Sequence, residues 1–166
     1  ILNLKNLVEV KKFKPEVISI CSPTSLHLNH IQKFGKITKR LLVEKPILWK
    51  KNANNNLIVK RILRKNKKLI VNLPMINLAE QIKKKEKIKK IRNIQFIYNT
   101  KGKNTYTDIP IDLLPHAISF SIQFLKTNKI KYKIIKVVNK KNSWNCEIYL
   151  NGCNCNYFFS QNKKRK

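Results

Sequence analysis

The chain has 166 residues with Lys+Arg 37 against Asp+Glu 8, a formal net charge of +29, and 42% hydrophobic residues. That is long enough for a buried core in one domain or two small lobes, and too apolar for a disordered chain. The longest apolar stretch, Ile109 to Leu125, carries Asp112, Pro115, His116 and Gln123 and is therefore no membrane span.

In chain order, Val17 to Cys21 reads as a buried strand stopped by Ser22-Pro23. Leu28, Ile31 and Phe34 recur at three-residue spacing, the stripe of an amphipathic helix that ends at Gly35. Leu41 to Val43 is a second buried strand, stopped by Pro46. Ala53, Leu57, Ile58 and Ile62 mark a second helix, and Leu69 to Val71 a third strand running into Pro74. Near-continuous apolar strands separated by helices imply parallel crossovers with both sheet faces covered, half of a doubly wound sheet.

Beyond Pro74 the pattern changes. Asn77 with Glu80 resembles a capping box opening a Lys-rich helix to about Ile88, followed by a strand from Ile91 to Tyr98. A helical stripe then runs through Leu114, Ile118, Ile122 and Leu125, with Asp112 and His116 at its start and Pro115 in the first turn. From Ile130 the period becomes two, first through Tyr132 and Ile134, then through Trp144, Cys146, Ile148 and Leu150. Asn151-Gly152 is a type I′ hairpin signal that pairs Leu150 with Cys153 and Ile148 with Cys155. The expected fold class is α/β: part of a doubly wound parallel sheet, followed by an α+β lobe with an antiparallel sheet.

The charge would suit nucleic acid. However, Lys (32), Asn (21) and Ile (23), all with A/T-rich codons, dominate the composition, while Arg, whose planar fork matches phosphate, occurs five times. The excess reads as compositional drift, and the Lys83 to Lys90 run as a solvated helix face rather than a nucleic-acid patch. Cys21, Cys146, Cys153 and Cys155 lack disulfide-framework spacing, so reduced thiols and a cytoplasmic location are expected. The hairpin register makes Cys153 and Cys155 small inward-facing hydrophobes, so no metal site is expected. The chain opens with Ile1 and no signal peptide, which reads as a fragment or a processed product.

Ligands of open parallel sheets bind beyond the carboxyl ends of the strands. Glu44 and Lys45 stand there, directly after an apolar strand, in a chain with six Glu. A lysine partly desolvated at such a place has a lowered pKa and suits proton transfer or hydrogen bonding to a substrate oxygen; the plain alternative is one more solvated lysine. Asp112 and His116, four residues apart, can share a helix face, where a carboxylate holds an imidazole for acid/base work. The plain alternative there is a capping Asp and a packed His.

Taken together, Ser22-Pro23-Thr24-Ser25-Leu26-His27, then Leu42-Val43-Glu44-Lys45-Pro46-Ile47, then Asp112-x-x-x-His116 resemble, in order and element type, the Gfo/Idh/MocA family of NAD(P)-dependent oxidoreductases. The resemblance covers roughly residues 1 to 125. It implies a partial Rossmann dinucleotide-binding domain over 1–75 and a partial α+β substrate and oligomerisation domain over 76–166. It also implies that Lys45 contacts nicotinamide and substrate hydroxyl, that His116 is the acid/base, and that Asp112 orients substrate and imidazole. Ser22, Pro23, His27, Glu44 and Pro46 match positions lining NAD or NADP, and the Lys-Pro peptide is often cis in the family. The implied substrate is a sugar, cyclitol or nucleotide-sugar, oxidised or reduced at a hydroxyl carbon. Family members commonly associate through the second-lobe sheet, which the apolar alternation after Ile130 would serve.

No GxGxxG is present, the glycines being at 35, 102 and 152. Tight NAD binding by this chain alone is therefore not expected. The alternative readings are a non-catalytic remnant or binding protein of the same fold, and a basic nucleic-acid-associated domain.

Overall fold

The structure, a computed structural model, describes residues 7–49, 54–66, 68–88, 90–126 and 129–162. Ala53, named above, lies outside the described residues. The chain forms two compact units, Ile1–Asn72 and Leu73–Lys166.

Unit 1 contains α1 (Leu7–Phe13), β1 (Val17–Ile20), α2 (Thr24–Phe34), β2 (Arg40–Glu44), α3 (Asn55–Lys65) and β3 (Leu69–Asn72). Its sheet has the order β1-β2-β3 and is parallel throughout, with Ile20 opposite Val43 and Val43 opposite Val71. The three apolar runs bounded by Ser-Pro, Lys-Pro and Leu-Pro are the three strands. Helix α1 is seven residues long, with Leu7, Val8, Val10 and Phe13 among charged ones, too short a run to announce its periodicity in the sequence.

Ile20, Ile31, Leu41, Val43, Ile47, Leu48 and Ile62 form the core of this unit; each such side chain contributes about 1.5–3 kcal/mol on burial. The buried Thr38 hydroxyl lies within 3.1 Å of the carbonyls of Pro15, Glu16 and Arg40 and ties the approach to β2 onto the approach to β1. Helix α2 ends at Gly35, where a Cβ would sit 2.7 Å from the Ile31 carbonyl oxygen. Asn54 caps α3, its side chain accepting from the Leu57 amide at 3.1 Å.

Unit 2 contains α4 (Met75–Lys85), β4 (Asn93–Lys101), α5 (Asp108–Leu125), β5 (Tyr132–Lys140), β6 (Ser143–Leu150) and β7 (Cys153–Asn162). Its sheet, in the order β4-β7-β6-β5, is mixed: β5, β6 and β7 are antiparallel, while β4 lies parallel to β7. The hairpin forms as read, with Leu150 opposite Cys153 and Ile148 opposite Cys155. Asn151 and Gly152 both have positive φ, 48° and 85°, as a type I′ turn requires.

Two helix boundaries differ from the sequence reading. Helix α4 begins at Met75 behind Pro74, with no side-chain cap, so Asn77 lies inside it and forms no capping box. Proline pre-sets the helical φ at the N-terminus, and the helix that follows packs on α5 with Ala79 fully buried. Helix α5 begins at Asp108, four residues before Asp112, because Ile109 at its start is fully buried and continues the core stripe through Leu113, Ala117 and Phe124. Asp112 is therefore not a cap, Pro115 is inside the helix rather than in its first turn, and the Leu114 stripe is the half-buried flank.

The α4 and α5 side of the sheet holds the second core, where Trp144 stacks on Phe159 at 5.7 Å and Phe120 meets Phe124 at 4.6 Å. Tyr132, Ile134 and Val137 pair with Leu150, Ile148 and Cys146, so register places them on the helix side of the sheet, where they remain exposed. The alternation after Ile130 thus does not supply the outer face. That face carries Ile97, Tyr149 and Phe158 among asparagines and lysines. Among the described residues no helix is long and apolar enough to cross a membrane.

Candidate functional site

At the carboxyl edge of the unit 1 sheet, β1 runs into Ser22-Pro23 and β2 into Lys45-Pro46, with a cis peptide between Lys45 and Pro46. Ser22, Glu44, Lys45 and Pro46 are half-buried and Pro23 is exposed. His27, on the first turn of α2, is only 1% exposed. Its Nδ1 lies 3.0 Å from the Pro46 carbonyl oxygen and its Nε2 2.7 Å from the Ser22 carbonyl oxygen. The two loops that follow β1 and β2, distant in sequence, thus meet on one imidazole.

Glu44 ends β2 opposite Asn72 at the end of β3, and its carboxylate accepts a hydrogen bond from the Asn72 amide nitrogen. Ser22 Oγ lies 3.0 Å from His30 Nδ1, one turn further along α2 from His27. The structure therefore gathers Ser22, Pro23, His27, Glu44, Lys45 and Pro46 at one sheet edge. It adds Asn72 and His30, which the sequence reading passed over. Asn72 had a signal: a polar residue closing an apolar strand in the parallel register that also ends at Glu44.

In unit 2, Asp112 and His116 lie one turn apart on α5, on the half-buried flank beside the buried Leu113 and Ala117. The His116 ring packs beside Tyr98 of β4, with centroids 6.1 Å apart, and its carbonyl accepts from Ser119 Oγ at 3.0 Å. Asp112 Oδ2 accepts from the Asn104 amide nitrogen at 3.3 Å, and the Asn104 backbone N–H donates to Gln161 Oε1 at 2.9 Å. Gln161 is 4% exposed and takes an inward position of β7, in step with Tyr157 and Phe159. That break in an otherwise apolar period-two face is the signal for it. A buried amide that anchors a loop, whose asparagine in turn meets Asp112, is how unit 2 holds this carboxylate.

The thiols offer little chemistry by comparison. Burial pushes Cys146 up to about 11, with Glu147 adding to it, and pushes Cys153 up to about 12, with Cys155 adding to it. Burial likewise raises the Tyr157 phenol. Lys83 is lowered by burial and by Lys126, and its ammonium donates to the Phe124 carbonyl at the end of α5. Among the described residues no group of three or more His, Cys, Asp or Glu could hold a metal.

Residues 1–73 match the family model of an oxidoreductase family with an NAD-binding Rossmann fold, Gfo/Idh/MocA. No curated protein matches the chain in sequence. Among solved structures, a dehydrogenase from Clostridium difficile superposes with a TM-score of 0.71 at 15% identity, covering 100% of this chain and 56% of that one. A UDP-N-acetylglucosamine 3-dehydrogenase from Acidithiobacillus ferrooxidans gives 0.62 at 18% identity, covering 90% and 52%. A dehydrogenase from Thermus thermophilus, solved in complex with NAD and α-ketoglutarate, gives 0.58 at 16% identity, covering 87% and 50%. The chain spans about half the length of these structures. Residues 1–73 thus match the model of the NAD-binding Gfo/Idh/MocA oxidoreductases, and the chain as a whole shares the fold of about half of these dehydrogenase structures.

Proposed function

We propose that the chain is part of an oxidoreductase that moves a hydride between a nicotinamide cofactor and a hydroxyl carbon of a sugar, cyclitol or nucleotide-sugar. In this reading unit 1 belongs to the cofactor lobe and unit 2 to the substrate lobe. The observation that carries it is the meeting of the Ser22-Pro23 loop and the Lys45-Pro46 loop at the carboxyl edge of a parallel sheet, within the segment that matches the NAD-binding family. The substrate class rests on what the structural neighbours are, a UDP-N-acetylglucosamine 3-dehydrogenase among them.

The half-buried Ser22, Lys45 and Pro46 suit the nicotinamide side of the cofactor, and none of the three glycines stands at that edge to cradle a diphosphate. When bound, the cofactor supplies the hydride acceptor or donor. The chain's own part is the proton. In the oxidising direction the substrate hydroxyl gives its proton to the His116 imidazole as the carbonyl forms. Asp112 orients ring and substrate, while Lys45 serves the cofactor side of unit 1.

Titration of the 166-residue chain with NADH, followed by amide chemical shifts, tests the cofactor part. Shifts at Ser22 and Lys45, and about tenfold weaker binding in Lys45→Met, equivalent to about 1.4 kcal/mol, are expected. Saturating NADH that leaves both residues unmoved overturns the reading in favour of a remnant that keeps the fold alone.

A further inference from the structure

We propose that His27 is a positioning residue: its buried imidazole clamps the loop after β1 to the loop after β2 and so sets where Lys45 stands at the sheet edge. Its place in the sequence motif pointed to a group lining the cofactor. The geometry points elsewhere. The ring is 1% exposed, and both nitrogens are turned onto the chain's own backbone, Nε2 to Ser22 and Nδ1 to Pro46.

No ring nitrogen is left to reach a ligand. Both partners are carbonyl oxygens, which only accept, so each contact is made through an N–H of the ring, and both are made together when the ring carries two. The contacts are also well chosen for the purpose. One carbonyl belongs to the residue just before Pro23, at the opening of α2, and the other to the proline that directly follows Lys45. A side chain that holds the backbone on either side of an edge fixes that edge without occupying it. A second tie lies beside the first, Glu44 to Asn72, and holds the end of β2 to the end of β3.

This inference rests on the reading that Lys45 works at this edge, but its test does not use the cofactor. With histidine labelled in nitrogen-15, spectra of the chain are expected to show the His27 ring N–H groups that face the two carbonyls. Those protons should exchange slowly with solvent and be coupled across hydrogen bonds to the carbonyl carbons of Ser22 and Pro46. In His27→Gln the amide signals of Ser22, Lys45 and Ile47 and the Lys45 side-chain carbon signals are expected to shift together, with Asn151 and Gly152 unmoved. Ring protons that exchange freely, or a His27→Gln spectrum that changes only within α2, overturns the clamp and leaves His27 as a packing residue. Should His27→Gln fail to fold, the ring spectrum of the unmodified chain decides. A chain that ignores NADH but shows the couplings overturns the oxidoreductase reading and keeps the clamp; a chain that binds NADH without them does the reverse.

Discussion

The Tyr157 phenol on β7 donates to the Ser121 hydroxyl on α5 at 2.9 Å, with both residues fully buried. It is a polar tie between helix and sheet in the middle of an aromatic core. Removing one end leaves the other without water to turn to. Ser121→Ala is expected to cost about 1–3 kcal/mol, and Tyr157→Phe about 1 kcal/mol. Urea denaturation of the chain measures both; equal and negligible losses would mean that the phenol has another partner.

Gly102 follows β4, and a Cβ there would meet Gln161 Oε1 at 2.4 Å and Cδ at 2.6 Å. Gln161 is buried and already holds the Asn104 amide. Gly102→Ala is therefore expected to destabilise unit 2 by about 1–3 kcal/mol, the range for overpacking. It should also shift the Asn104 amide signal and, through Asn104, the Asp112 carboxylate signal. If only stability changes, the chain of contacts from Gln161 to Asp112 is not coupled.

The four thiols separate by burial: Cys21 is exposed, and Cys146, Cys153 and Cys155 are buried. Native protein should take up one equivalent of an alkylating reagent, at Cys21, and four after unfolding. The pH dependence follows from the same burial. Cys146 rises from 9.0 to about 11 and Cys153 from 9.0 to about 12 on folding, so between those values the native state binds more protons than the unfolded one. Stability contributed by these thiols is complete below pH 9.0 and is lost as pH climbs through about 11 and 12. Cys146→Ala with Cys153→Ala should flatten that alkaline decline in melting temperature, beyond what the buried Tyr157 phenol adds.

The turn at Asn151-Gly152 needs left-handed backbone at both residues. A Cβ at Gly152 would meet nothing within 4 Å, so Gly152→Ala isolates the conformational cost, expected at about 1–2 kcal/mol. Denaturant midpoints of the two proteins measure it.

Local chemistry made much of the fold legible. Proline after each apolar run marked the ends of β1, β2 and β3, and Asn151-Gly152 set the register of β6 on β7 down to Leu150 and Cys153. What failed was non-local. Nothing near Asn93 says that β4 will lie parallel to β7, because the partner is Asn154. The start of α5 was misplaced because Pro110 and Pro115 obscure a stripe whose anchor, Ile109, is recognisable only once it is seen buried. At the candidate site the residue types were readable at Lys45, Asp112 and His116. The side chains that fasten the site, His27 through two carbonyls and Gln161 through Asn104, act across 19 and 57 residues and have no local signature.

The parallel pairing of β4 with β7 also decides the order in which unit 2 can assemble. β7 is the inner strand that joins β4 to the β5-β6 hairpin. β4 therefore waits, unpaired, while α5, β5 and β6 are made, and that long closure slows the search for its partner. A chain interrupted before Cys153 would retain the helices and one hairpin, yet Ile94 and Phe96 would have no ladder and Trp144 no Phe159 to stack on. The last strand is the one that turns the pieces of unit 2 into a sheet.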